Sequence, residues 1–103
     1  MEFIYRLENK DGQGCYRNKS AKIDYILCRH FEEEEYYPIP KQDLGIERNP
    51  LPNEICGFKD IKQAKNWFND YELKELKKLG YELKKVEVKK ITAIGEMQVL
   101  AIK

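Results

Sequence analysis

All four prolines of this chain, Pro38, Pro40, Pro50 and Pro52, fall in one short stretch near its middle. Proline has no backbone N–H and a fixed φ, so neither a helix interior nor a central strand can run through such a stretch. The run Glu32–Glu35 just before it breaks the apolar pattern as well. Residues 32–53 are therefore expected to form a proline-rich loop dividing the sequence into a short N-terminal part and a longer C-terminal part. A loop of this length in a small domain often covers or lines a site. The simpler expectation is a surface excursion pinned by Tyr36, Tyr37, Ile39 and Leu44.

The flanking segments carry regular patterns. Glu2–Leu7 holds Phe3, Ile4, Tyr5 and Leu7 and reads as a strand, followed by a turn at Asp11-Gly12 and Gly14. Ser20 can cap a helix over Ala21–His30, in which Ile23, Ile26, Leu27 and Phe31 recur at helical spacing. After the loop, Glu54–Phe58 is a short strand. Asp60 is placed to cap Ile61–Asn69, with Ile61, Ala64, Trp67 and Phe68 on the buried face. A second helix begins at Asp70, turns Leu73, Leu76 and Leu79 inward, and stops at Gly80. Tyr81–Val88 is a strand, and Ile91–Gly95 leads into a last strand over Met97–Ile102. The sum is one α+β domain over residues 1–103: a mixed or antiparallel sheet with about three helices packed on it.

Charge narrows the function classes. A net charge of +1 is far from the basic excess of a general nucleic-acid binder, so no such activity is expected. The charge is nevertheless uneven. Residues 1–58 carry 8 basic and 11 acidic side chains, and residues 59–103 carry 11 and 7, a polarity that pairs internally or steers a partner. Cys15, Cys28 and Cys56 are odd in number and lack CxxC spacing, which fits free thiols in a reducing cytoplasm. The single histidine, His30, has no nearby Cys or His, so no metal site is expected. No apolar run is long enough to span a membrane.

Familiar catalytic and phosphate-binding signatures are missing, including Walker, GxGxxG, HExxH and GxSxG patterns. Gly12-Gln13-Gly14 reads as a tight turn. Cys15, between Gly14 and an aromatic–arginine pair, sits where a thiol pKa can be lowered. Histidine is the side chain whose ordinary pKa suits acid–base work near neutrality, but for His30 no carboxylate or nucleophile partner is identifiable from sequence.

Three segments taken in order, Tyr5-Arg6, Gly57-Phe58 before Ala64-Lys65-Asn66-Trp67, and Glu96-Met97-Gln98-Val99-Leu100, resemble the motifs of ADP-ribosyltransferase-like domains. That resemblance implies Arg6 on the ribose or phosphate of NAD and Phe58 in the nicotinamide pocket. It puts Gln98 where the family's catalytic glutamate precedes similar aliphatics. Glutamine supplies no anion beside a ribosyl cation. Either Glu96, expected on the same strand face, takes that role, or the domain binds without turnover. The YRLENKDGQGCYR opening, GFKDIKQAKNWF and the GEMQVL ending also resemble a small protein of bacteriophage or prophage type. This resemblance implies interference with a host system by binding.

The leading expectation is thus a non-catalytic phage or prophage accessory protein of anti-defence type in the host cytoplasm. It would bind a host protein or a nucleotide-derived ligand, with no cofactor. Arg6, Tyr16, Arg17, Phe58 and Gln98 are its candidate ligand-binding residues, arginine serving phosphate and the aromatics a base. The alternatives are an active ADP-ribosyltransferase using NAD and Glu96, and a pure protein-interaction module built on Glu32–Glu35 and Tyr36-Tyr37.

Overall fold

The strand β1 (Glu2–Glu8) sends Ile4 to one face and Leu7 to the other, and this alternation sets the two cores of the molecule. The computed structural model describes residues 2–15, 21–28, 30 and 37–103, which hold three α-helices and five strands. All their strand pairings are antiparallel, as one of the two expected arrangements required.

The strands make a two-stranded sheet and a three-stranded sheet that together trace a ring. Strands β3 (Glu82–Val88) and β4 (Lys90–Ile94) are separated by Lys89 alone, and each takes its own partner. β1 lies along β3, with Ile4 opposite Val86, while β5 (Val99–Ile102) lies along β4. On its other side β5 pairs with β2 (Glu54–Gly57), Ala101 opposite Ile55. Phe58, just past β2, closes the ring by exchanging backbone hydrogen bonds of 2.7 and 2.8 Å with Tyr5. A Cβ at Gly57 would stand 2.7 Å from Cδ1 of Ile4 and 2.9 Å from the Tyr5 carbonyl oxygen, so this close crossing requires glycine. Ile4, Val88, Val99 and Ala101 fill the inside of the resulting small barrel, with Ile55, Val86 and Ile91 around them.

The outer face of the β1–β3 pair carries the helices. α1 (Ala21–Ile26) is interrupted at Leu27, which falls in a turn although its N–H still donates to the Ile23 carbonyl; Cys28 and His30 are helical again, within the expected Ala21–His30. α2 (Ile61–Trp67) begins as expected, the Asp60 carboxylate accepting the Gln63 N–H at 2.7 Å. Ile61 was expected inward but is exposed in the first turn. Gln63 is buried instead, its side chain accepting from the Lys59 N–H and donating to the Gly95 and Glu96 carbonyls. α3 (Asp70–Lys78) starts with a full capping box between Asn69 and Glu72 and ends at Gly80, whose φ is +94°. Between barrel and helices lies the second core, which includes Leu7, Leu27, Phe58, Trp67, Phe68 and Leu76.

The last strand begins at Val99, two residues later than expected. The buried Asp43 carboxylate accepts the N–H groups of Met97 (3.2 Å) and Gln98 (3.1 Å), which turns this backbone toward the proline loop and away from the ladder. Glu96 and Gln98 are therefore turn residues between β4 and β5, not strand residues.

Candidate functional site

A cavity of about 720 Å³ opens between the barrel, the second core and the proline loop. That volume is typical of ligand sites. Pro38, Pro40, Pro50 and Pro52 all line it, so the loop forms a wall. Of the residues expected to pin that loop, Tyr37 is buried, whereas Ile39 and Leu44 are exposed and Tyr36 lies outside the described residues. The loop is held instead by the β4–β5 turn. Besides the Asp43 bonds, Gln98 Nε2 donates to the Pro38 carbonyl at 2.7 Å and the Glu96 N–H donates to the Leu44 carbonyl. A Cβ at Gly95 would collide with the Asp43 carboxylate at 2.5 Å, so the approach of loop to turn depends on glycine there.

Three of the sequence candidates meet at this cavity. Arg6, Phe58 and Gln98 all line it, although they come from β1, the end of β2 and the β4–β5 turn. Phe58 is buried, its ring centroid 5.8 Å from that of Trp67 and 6.0 Å from that of Phe68, so it is a wall and core residue at once. Tyr16 and Arg17 lie outside the described residues, as does the Glu32–Glu35 run. Glu96 does not line the cavity and is exposed; the turn that buries Gln98 faces Glu96 outward, contrary to the expectation that both share one strand face.

The polar groups on the walls are internally paired. Arg6 donates from Nε to the Cys56 carbonyl at 2.8 Å and from Nη1 to the Glu8 carboxylate, which Lys103 also approaches at 3.5 Å. Only 13% of the Arg6 side chain is exposed. Glu54 forms a two-pronged pair with Arg48 at 2.7 and 2.9 Å and accepts from the Leu51 N–H and the Thr92 hydroxyl. These bonds, that from Arg48 foremost, hold its carboxyl down to about 2.

Sequence reasoning missed a third pair. His30 stacks on Tyr37 with ring centroids 4.2 Å apart, and its Nε2 lies 3.0 Å from Oε2 of Glu72. The other oxygen of Glu72 closes the Asn69 capping box, so one carboxylate fixes both a helix start and a buried imidazole. The Asn69-x-x-Glu72 spacing was a legible capping signal; its reach to His30 was not. Cys15 also lines the cavity, but burial pushes its thiol up to about 12, opposite to the lowered pKa its neighbours in sequence suggested. Cys15 is buried, whereas Cys28 and Cys56 are exposed. Among the described residues, no cluster of His, Cys, Asp and Glu is placed to hold a metal ion, and no helix is long and apolar enough to cross a membrane.

A family model described as the bacteriophage T4 Y00F protein matches residues 1–103. The chain belongs to that family. Its phage character agrees with the YRLENKDGQGCYR, GFKDIKQAKNWF and GEMQVL resemblance; the likeness to ADP-ribosyltransferases receives no support from the match. No curated protein and no solved structure matches the chain significantly.

Proposed function

We propose that this phage protein is a non-catalytic accessory protein that interferes with a host system by holding an apolar segment of a host protein in the cavity. The observation that carries this reading is the composition of the walls. Proline, aromatic and aliphatic side chains together line most of the space, and the exposed Ile39 and Leu51 continue it outward as an apolar rim. Such a surface gains affinity by burying a partner's large apolar side chains, the usual anchors of protein interfaces. The expected nucleotide-derived ligand fits less well. Its phosphates would need the Arg6 charge, which Glu8 already neutralises, and would approach a carboxylate. An ADP-ribosyltransferase would need an anion beside the ribose, but Gln98 is neutral and Glu96 is off the cavity wall.

The test pairs capture with a ligand screen. Wild-type protein and the Ile39→Asp variant are used as bait in host lysate, and the wild type is heated with NAD, ADP-ribose and cyclic nucleotides in turn. The reading expects a host protein that the wild type retains and the variant loses, with no nucleotide-dependent rise in Tm. A rise of several degrees with any nucleotide, the size expected at saturation, would replace the protein partner with a small ligand.

A further inference from the structure

The two walls of the cavity differ from an ordinary polar site in how they handle charge. Among the described wall residues, Arg6 is matched by Glu8, Glu54 by Arg48 and His30 by Glu72. Each partner comes from the chain itself, so among the described residues no wall charge awaits an opposite charge from outside. Two of these pairs are deeply placed: the Glu8 side chain is 6% exposed and that of Glu72 is 2% exposed. An anion entering such a space loses its hydration and meets carboxylates whose cations are already committed, which is unfavourable. One wall group is arranged differently. The amide nitrogen of Gln98 is occupied by the Pro38 carbonyl, which fixes the orientation of the amide and leaves its oxygen as the acceptor.

We infer that the cavity selects uncharged, large apolar anchors that carry a single N–H or O–H donor, and rejects anions, because the protein gives Arg6, Glu54 and His30, the charged or titratable groups among the described wall residues, partners of its own. The inference rests on the proposed use of the cavity for binding and names the chemistry of what enters it. A partner segment presenting tryptophan or tyrosine among leucines meets the requirement, with an indole N–H or phenol O–H directed to the Gln98 amide oxygen. A phosphorylated or carboxylate-bearing anchor does not.

A matched pair of probes reads this directly on the unmodified protein. N-phenylnaphthylamine is neutral and carries one N–H; anilinonaphthalene sulfonate has the same ring systems with a sulfonate added. Titration by fluorescence and calorimetry is expected to show the neutral probe binding one to one and about tenfold tighter than the sulfonate, the scale of an uncompensated polar burial. Ile39→Asp, at the exposed rim, should weaken the neutral probe, which locates the binding. Glu8→Gln should release the Arg6 charge and narrow the gap by raising sulfonate affinity. Equal or tighter binding of the sulfonate by the wild type would overturn charge rejection while leaving the cavity as a binding site. Binding of neither probe would overturn the cavity reading itself, and with it this inference. Should Glu8→Gln fail to fold, the wild-type ratio of the two affinities still decides the matter.

Discussion

The inside of the barrel and the seam between barrel and helices are both buried, yet only the seam leaves room for a ligand. The difference lies in side-chain shape. Inside the barrel, Ile4, Val86, Val88, Ile91 and Val99 alternate along paired strands, and branched aliphatics on facing strands interdigitate to close packing. In the seam, Tyr37, Phe58, Trp67 and Phe68 meet edge to face or tilted, and two of their neighbours are a histidine and a glutamate held by directed bonds. Flat rings with fixed preferred angles, joined to groups whose positions hydrogen bonds dictate, cannot collapse onto one another as aliphatics do. The cavity opens on that side.

The largest effects should come from truncating the same residue type in the two places. Ile4 is fully buried in the barrel, whereas Ile23 borders the cavity. Isoleucine-to-alanine changes cost about 2–5 kcal/mol, more where the removed atoms had neighbours on every side. Ile4→Ala is expected near the top of that range and Ile23→Ala near the bottom, measured by urea unfolding. Equal losses would mean that the seam packs as tightly as the barrel, and the comparison would fail.

A smaller loss is expected at the barrel's closing point. Gly57→Ala places a methyl group against Ile4 and the Tyr5 carbonyl, and overpacking of this kind costs about 1–3 kcal/mol. Because the obstacle includes backbone, the strain should also loosen the Tyr5–Phe58 bridge, seen as faster hydrogen exchange at those two amides. Exchange that stays unchanged would show that β1 and β2 are held together without the bridge.

The seam offers a milder change. Asn69→Ala removes the cap of α3 and should cost about 1 kcal/mol by the usual worth of such a cap. It should also disturb His30, since the same Glu72 carboxylate serves both. A histidine ring resonance that shifts in the variant would confirm the link, and one that stays put would show that Tyr37 stacking alone positions the ring.

Much of this division was legible in the sequence where the cause is local. The Asp60 cap, the helix start at Asp70 and the Gly80 stop follow from residues within one turn of the backbone groups they satisfy or the turn they permit. Arg6, Phe58 and Gln98 were singled out together and line one cavity. What escaped is set by partners far along the chain. Asp43 accepts N–H groups from residues 54 and 55 positions away, and that clamp makes Glu96 and Gln98 turn residues with opposite exposure. The neutralisation of Arg6 by Glu8 was within reach, since residues two apart on a strand share a face. An arginine read as a phosphate ligand should first be tested against such a neighbour.

The smallest effect belongs to the rim, where the two regions meet. Glu54 stands on β2 and its partner Arg48 is partly in water, the side chain 40% exposed, so their attraction is screened in part. The guanidinium holds the Glu54 carboxyl down to about 2 from an ordinary value of 4.5. A depressed carboxylate stabilises the fold fully above its ordinary pKa, and the contribution is lost as pH falls from about 4.5 toward 2. The difference in urea midpoint between wild type and Glu54→Gln should therefore hold steady from pH 7 to about 5 and shrink below that. High salt should reduce it at every pH. A difference near zero at every pH would assign the role of Glu54 to its bonds with the Leu51 N–H and the Thr92 hydroxyl, which glutamine can keep, rather than to its charge. The rim would then be held as the seam is, by directed hydrogen bonds, and the charge pairing of the cavity walls would rest on Arg6–Glu8 and His30–Glu72 alone.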